Sequence, residues 1–170
     1  MKIEVVVGNL VRQPDVNALV NSANANLRLG SGVAGAIHTA AGPELEVFCK
    51  PFAPLELGAA LITPGFNLPN PWVIHVRSAH YILNTEPERY MSFALISMLN
   101  TARYNGIKSL AMPAIGTGVF KFPPMLAARI TAKALREFEK KFQEIELVRI
   151  CVVNEEMLSL YQSALAIERE

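Results

Sequence analysis

Hydrophobic residues along the chain alternate between short continuous runs and runs with helical spacing. The apolar run at the end of Lys2–Val7 is typical of a strand covered on both faces of a sheet. Glu88–Tyr104 instead carries apolar residues at intervals of three and four, which predicts an amphipathic helix. Further strands are predicted over Ala18–Ser22, Ala59–Thr63, Trp72–Arg77, Ser109–Met112 and Leu147–Val153. Further helices are predicted around Ala36–Ala41 and over Glu44–Lys50, Pro123–Lys141 and Glu155–Ile167.

This order of elements indicates the fold class. Strands and helices alternate without an internal repeat or a linker-like segment. Such alternation predicts an α/β sandwich with helices on both sides of a mostly parallel sheet. A chain of 170 residues is expected to form a single domain, which buries roughly 70% of the surface that the unfolded chain exposes.

Composition and charge narrow the functional classes. With 51% apolar and 18% charged residues, the chain is neither disordered nor equipped with an apolar run of the ~20 residues that a membrane span requires. The net charge of +1, with both signs interleaved, argues against a nucleic-acid partner. Cys49 and Cys151 lie far apart without metal-like spacing, so neither a metal nor a cofactor is expected, and the expected location is cytoplasmic.

Glycines and asparagines concentrate after the second predicted strand. Asn21 and Asn24 flank the exit of that strand, and Gly30, Ser31 and Gly32 lead into the first helix. Glycines allow backbone N–H groups to approach a ligand closely, and a helix N-terminus adds unpaired donors and a positive dipole end. The stretch therefore favours an anion such as phosphate, and a plain glycine turn that packs a helix on a sheet fits the same residues.

The glycines also spell a dinucleotide-binding pattern that the context does not support. Gly30, Gly32 and Gly35 match G-x-G-x-x-G, in which the first glycine should follow its strand directly. Here seven residues separate Ser22 from Gly30, and the following strand, Ala59–Thr63, ends without an acidic residue for a ribose. The spacing argues against a Rossmann fold.

A second glycine loop follows the buried strand at Ser109–Met112. In this loop Gly116 and Gly118 flank Thr117, whose hydroxyl is suited to donate to a phosphate oxygen, and Phe120 is placed to pack on a sugar or a base. Loops at the carboxyl ends of parallel strands share one crevice. Two such loops together suggest a diphosphate ligand, whereas either alone is an ordinary turn.

Four stretches together resemble the macro domain family, which binds ADP-ribose. They are VNSAN (Val20 to Asn24), LGSGVAGAIHTAAG (Leu29 to Gly42), WVIHV (Trp72 to Val76) and PAIGTGVFKFP (Pro113 to Pro123). The resemblance implies a three-layer α/β/α sandwich with a mixed, mostly parallel central sheet and a cleft for ADP-ribose or a mono-ADP-ribosylated protein. It also implies that Asn24 and Phe120 contact the distal ribose, and it makes Asn24 the catalytic candidate. The implied ligand-binding set is completed by Asn9, Leu10, Asn21, Gly32, Val33, Ala34, Ile115, Gly116, Thr117, Gly118, Val119 and Asn154.

Departures from the family pattern leave the activity open. Asn9 stands where many members have an Asp that accepts from the adenine amino group, and Ala34 stands where many hydrolytic members have an Asp. Ser31 replaces a glycine. We therefore expect a module that binds ADP-ribose. The alternatives are a hydrolase of protein-linked or O-acetyl-ADP-ribose, with water activated by substrate phosphate, and a structural domain that has lost the ligand.

Two histidines are assigned to the core rather than to the site. His38 lies among alanines on the first helix, and His75 lies in an apolar strand. Local periodicity accounts for both positions, so neither is predicted to be catalytic.

Overall fold

A mixed sheet forms the centre of the structure, a computed structural model that describes residues 1–169. Within that range the strands are β1 (Lys2–Val7), β2 (Ala18–Ser22), β3 (Ala60–Pro64), β4 (Trp72–Val76), β5 (Ser109–Pro113) and β6 (Leu147–Val152). Their order across the sheet is β1-β6-β5-β2-β4-β3, and β3 runs antiparallel to β4 while the other pairs are parallel. The mixed, mostly parallel sheet is confirmed.

Helices connect these strands. They are α1 (Gly32–Ala41), α2 (Glu44–Cys49), α3 (Pro87–Tyr104), α4 (Pro124–Lys141) and α5 (Glu155–Arg169), with short 3-10 turns at Lys50–Phe52 and Gly118–Phe120. Every predicted element is present in type, and most ends differ by one or two residues. The first helix is longer than the predicted Ala36–Ala41. The backbone is extended at Ser31, and the helix begins at the next residue, so that it includes both Gly32 and Gly35. Among the helices of residues 1–169, none is both long and apolar enough to cross a bilayer.

Alternating side chains of the strands build two separate cores, one on each face of the sheet. Leu19, Val73 and Ala111 face α1 and α2, and together with residues of those helices they form the smaller core. Val20 and Ile74, their neighbours along the strands, face the opposite side and pack with α3, α4 and α5. Since successive residues of a strand point to opposite faces, a strand buried on both sides is apolar at most positions. The molecule is therefore a three-layer α/β/α sandwich.

The parallel strands place several loops together at one edge. In the parallel register Val5 lies opposite Ile150, Met112 opposite Ile150 on its other side, and Leu19 opposite Ala111. The carboxyl ends of β1, β6, β5 and β2 consequently lie side by side. The loops that leave these four ends form the candidate site.

Candidate functional site

A cavity of about 850 Å³ opens beyond the carboxyl ends of the four adjacent parallel strands, and we call it the loop cavity. Its walls come from residues 7–10 after β1, residues 22–36 after β2, residues 113–120 after β5 and residues 151–157 at the end of β6 and the start of α5. The lining residues are Val7, Gly8, Asn9, Leu10, Ser22, Asn24, Gly30, Ser31, Gly32, Val33, Ala34, Ala36, Pro113, Ala114, Thr117, Gly118, Val119, Phe120, Cys151, Val152, Val153 and Met157. A crevice at this end of a sheet is the usual place for a ligand in α/β proteins.

Asn24 organises the first glycine loop through its own side chain. Its Oδ1 accepts from the Arg28 backbone N–H at 3.0 Å, and its Nδ2 donates to the Arg28 carbonyl oxygen at 2.7 Å. Both hydrogen bonds of the amide go to Arg28, so the Asn24 side chain closes the turn of residues 24–28 and still borders the cavity. One Nδ2 hydrogen and one Oδ1 lone pair stay free for a ligand.

Gly35 allows the same loop to fold back on α1. A Cβ atom at this position would collide with the carbonyl oxygen of Gly30, so only glycine permits this approach. The loop is thereby held over the first turn of the helix. This contact fixes where residues 30–32 lie relative to the cavity.

The N-terminus of α1 supplies the polar groups of this wall. Ser31 is the N-cap residue but makes no side-chain capping hydrogen bond, and its carbonyl accepts from the Gly35 N–H at 3.3 Å. The N–H groups of Gly32, Val33 and Ala34 have no acceptor within the helix, because they belong to its first turn. A first turn of this kind attracts an anion through its free donors and its positive dipole end.

The second glycine loop is fixed by its own hydrogen bonds. Gly116 has φ +89°, and a Cβ there would lie 3.0 Å from Met91 Sδ and 3.1 Å from the Phe122 ring. The carbonyl of Gly116 accepts from the Phe122 N–H at 2.9 Å, and the carbonyl of Phe120 accepts from the Tyr81 N–H at 2.8 Å. The loop therefore presents a defined backbone to the cavity.

Thr117 has a different role in the structure from the one that we expected. Its hydroxyl donates to the carbonyl oxygen of Ala114 at 2.6 Å. Because a hydroxyl has one proton, Thr117 Oγ1 offers only acceptor lone pairs to the cavity in this arrangement. The donation from this hydroxyl to phosphate stays a prediction, and it requires the hydroxyl to rotate away from the Ala114 carbonyl.

Asn9 lies on the wall that follows β1 and is exposed. Its Oδ1 accepts from the Val11 N–H at 3.1 Å, and its carbonyl accepts from Gln13 Nε2 at 3.0 Å. The Asn9 amide therefore keeps one acceptor lone pair and both Nδ2 hydrogens available. An Asp in this place would offer acceptors alone.

The cavity is electrically neutral. Among the described residues that line it there is no Asp, Glu, His, Lys or Arg. Its one thiol belongs to Cys151, and burial raises the pKa of that thiol to about 11, so the sulfur stays protonated at neutral pH. Backbone N–H groups and neutral amides are the groups that these lining residues offer to an anion.

Four residues of the predicted ligand-binding set do not line the cavity. Asn21 is fully buried and donates through Nδ2 to His75 Nδ1 at 3.0 Å, since alternation along β2 points it away from the cavity and beneath α1 and α2. Ile115 is 1% exposed and belongs to the larger core, and Gly116 is buried behind Thr117. Asn154 Oδ1 accepts from the Met157 N–H at 2.9 Å and so caps α5. The structure therefore places these four residues outside the lining of the cavity.

The other predicted residues come together around the cavity. They are Asn9, Leu10, Asn24, Gly32, Val33, Ala34, Thr117, Gly118, Val119 and Phe120. A further wall, which the glycine-loop motifs did not predict, is made by Cys151, Val152, Val153 and Met157. The sequence signal for this wall was its position at the carboxyl end of the last strand. Ligands of open α/β sheets bind beyond the carboxyl ends of the strands, and that rule applies to β6 as well as to the strands before the glycine loops.

The two histidines assigned to the core are buried, which confirms that assignment. His38 is 4% exposed and His75 is fully buried. His75 accepts at Nδ1 from Asn21 and lies 2.9 Å through Nε2 from Thr63 Oγ1, and the Thr63 hydroxyl itself donates to the Pro64 carbonyl. This chain of donors fixes a neutral tautomer with the proton on Nε2. Burial lowers the pKa of His75 to about 3, consistent with that neutral form.

The amino-acid sequence was compared with protein families and with known proteins. The family model described as Macro domain matches residues 20–131. The chain is 38% identical over 169 residues to an O-acetyl-ADP-ribose deacetylase from Enterobacter sp. (strain 638), covering 96% of this chain and 93% of that protein. It is 36% identical over 151 residues to the ADP-ribose glycohydrolase MACROD2 from Homo sapiens, covering 87% of this chain and 36% of that protein.

Structural comparison gives the same result. The Oceanobacillus iheyensis macrodomain solved with ADP superposes with a TM-score of 0.92 at 31% identity, covering 99% of this chain and 93% of that one. Macro domain homologues bind ADP-ribose, and some are ADP-ribose glycohydrolases or O-acetyl-ADP-ribose deacetylases. By its sequence motifs, its fold and these relatives, the chain belongs to the macro domain family.

Proposed function

We propose that this chain binds ADP-ribose, free or attached to a protein, in the loop cavity. The observation that carries the proposal is a cavity of about 850 Å³ that is bordered by two glycine loops and one helix N-terminus and is lined by uncharged residues. Such a site suits a long ligand with a negatively charged middle and polar, uncharged ends. The relatives that act on ADP-ribose derivatives support the same assignment.

We propose a place for each part of the ligand along the walls of the cavity. The diphosphate lies between the first turn of α1 and the loop of residues 116–120, where backbone N–H groups neutralise it. The distal ribose lies between Asn24, which has a free amide hydrogen, and the ring of Phe120. The base lies against Asn9 and Leu10 at the far wall.

A hydrolase that removes ADP-ribose from proteins or deacetylates O-acetyl-ADP-ribose is the second candidate. It is favoured by the relatives named as a deacetylase and a glycohydrolase, at 38% and 36% identity. Against it stand Ala34, which has no carboxylate, and the lack of a general base among the described lining residues. Hydrolysis in this site therefore requires a water that is activated by the phosphate of the substrate and a ribose that is oriented by Asn24.

The binding proposal is tested by calorimetric titration with ADP-ribose, AMP and NAD. We expect micromolar affinity for ADP-ribose, clearly above that for AMP and NAD. Asn24→Ala is expected to weaken ADP-ribose binding about tenfold, since it removes a ligand contact and releases the turn to Arg28. Asn26→Ala is the matched control, because Asn26 is an exposed asparagine of the same loop. Absence of binding to all three ligands would instead leave a structural domain that has lost its ligand.

The two candidate functions are separated by a single-turnover assay. The wild-type protein, in excess, is incubated with a mono-ADP-ribosylated protein and, separately, with O-acetyl-ADP-ribose. A binding module retains the modified substrate unchanged. Release of ADP-ribose that falls in Asn24→Ala but persists in Asn26→Ala would establish the hydrolase.

A further inference from the structure

The cavity wall formed by Asn9 and Leu10 is anchored from outside the cavity by Arg149 of β6. Arg149 Nε donates to Glu4 Oε2 at 2.8 Å, and its Nη1 and Nη2 donate to the two carboxylate oxygens of Asp15 at 2.8 Å each. The Arg149 side chain is 13% exposed. A nearly buried guanidinium thus joins β6, β1 and the loop between β1 and β2 at a fixed geometry.

Gln13 connects this guanidinium to the cavity wall. Its Oε1 accepts from Arg149 Nη1 at 3.1 Å, and its Nε2 donates to the Asn9 carbonyl at 3.0 Å. With both ends of the amide engaged, the orientation of Gln13 is fixed by Arg149. The Asn9 side chain in turn accepts from the Val11 N–H, so the backbone of Asn9 determines where its amide lies.

Neither Arg149 nor Gln13 borders the loop cavity. Both line a separate groove on the outer edge of β1, which Gln162 of α5 also borders. A ligand in the cavity therefore meets Asn9 and Leu10 but not the two residues that hold them. Because Arg149 does not touch the cavity, its effect on a ligand through contacts passes through the position of the wall.

We propose that Arg149, acting through Gln13, is a positioning residue that sets the affinity of the cavity for the nucleoside end of its ligand. The inference rests on the proposed function, which places the base against Asn9 and Leu10. It assigns to an ion-pair cluster on the sheet edge a role in ligand selectivity. The relay runs from Arg149 to Gln13 and from Gln13 to the Asn9 carbonyl.

The variants are chosen to cut the relay at defined points. Gln13→Ala removes both bonds, whereas Gln13→Glu keeps an acceptor for Arg149 and removes the donor to Asn9. Arg149→Lys retains a charge beside Asp15 but cannot reproduce the planar fork that serves three partners. Gln162→Ala is the matched control, because it alters the same residue type in the same groove.

Two measurements are made on each variant. Titrations use ADP-ribose, AMP and ribose 5-phosphate, and amide hydrogen exchange follows residues 9–13. We expect Gln13→Ala, Gln13→Glu and Arg149→Lys to weaken ADP-ribose and AMP by about fivefold each, with ribose 5-phosphate unchanged. Exchange of the Val11 amide is expected to accelerate in these variants and to stay as in the wild type in Gln162→Ala.

The outcomes distinguish a failed relay from a failed function. Unchanged exchange at residues 9–13 overturns the relay, as does an equal loss of affinity for all three ligands, which would indicate a general loss of structure. Faster exchange with unchanged affinity for ADP-ribose and AMP overturns the role in selectivity. A wild-type protein that binds none of the ligands refutes the proposed function and with it the selectivity role, while exchange still reports whether Gln13 holds the loop.

Discussion

Gly35→Ala places two opposing effects at one position of α1. Replacing a glycine inside a helix by alanine ordinarily stabilises a protein by about 0.5–1 kcal/mol, because the unfolded chain loses conformational freedom. Here the added methyl group would collide with the carbonyl oxygen of Gly30. That atom belongs to backbone, so the clash is not relieved by rotation of a flexible side chain.

The steric effect is expected to exceed the gain in helix propensity. Overpacking of this kind costs about 1–3 kcal/mol, so that, after the gain in helix propensity, the free energy of unfolding falls by up to about 2.5 kcal/mol. For a chain of 170 residues this corresponds to a fall in Tm of up to about 10 °C. Displacement of the loop over the helix N-terminus is also expected to weaken ADP-ribose binding at least tenfold.

Thermal unfolding and calorimetric titration of the same preparation test both expectations. Thr39→Ala is the control, since Thr39 is an exposed residue of the same helix where alanine raises helix propensity without a backbone clash. It is expected to unfold at an equal or slightly higher temperature and to bind normally. A Gly35→Ala protein with a raised Tm and unchanged affinity would refute the argument that this glycine sets the position of the loop.

Other expectations follow from single contacts. Asn154→Ala should lower the free energy of unfolding by about 1 kcal/mol, because it removes the cap of α5, yet leave the ADP-ribose titration unchanged. Affinity for ADP-ribose should be constant from about pH 6 to pH 9. Cys151 is the titratable side chain among the described lining residues, and its pKa is raised to about 11. A sigmoidal change in the calorimetric affinity over this pH range would contradict the expectation. The imidazole NMR signals of His75 should keep the same chemical shifts as the pH is lowered to about 4. Neutral His75 should contribute fully to the free energy of unfolding above pH ~6.5. On acidification this contribution should decline by up to about 1.4 kcal/mol per pH unit, because the unfolded chain takes up a proton that the folded chain does not. Arg149 lowers the pKa of the Asp15 carboxyl, so that stabilisation is present above about pH 4 and is lost as the pH falls through the lower folded value; urea unfolding between pH 5 and pH 2 should show this loss in the wild type and less of it in Asp15→Asn.

The order and type of the helices and strands follow from local patterns in the amino-acid sequence. Strands such as β4 are buried on both faces over most of their length and are apolar at every position except His75, whereas helices such as α4 show one apolar stripe. The spacing of apolar residues in a segment depends on whether the segment is buried on one face or on two. The alternation of strands and helices along the chain then implies a mostly parallel sheet. The sequence also indicated the two glycine loops, because the close contacts at Gly35 and Gly116 leave no room for a larger residue.

Which polar side chains face the cavity depends on how the strands and loops pack in three dimensions. Asn21 and Asn24 are three residues apart in one motif, yet pleating of β2 buries the first against His75 and leaves the second beside the glycine loop. The relay from Arg149 to Asn9 depends on the hydrogen bond between Arg149 and Gln13, which lie 136 positions apart along the chain, and no local pattern spans that separation. Side-chain direction and long-range hydrogen bonds arise only once the strands are in register, so these features are absent from the sequence pattern and present in the fold.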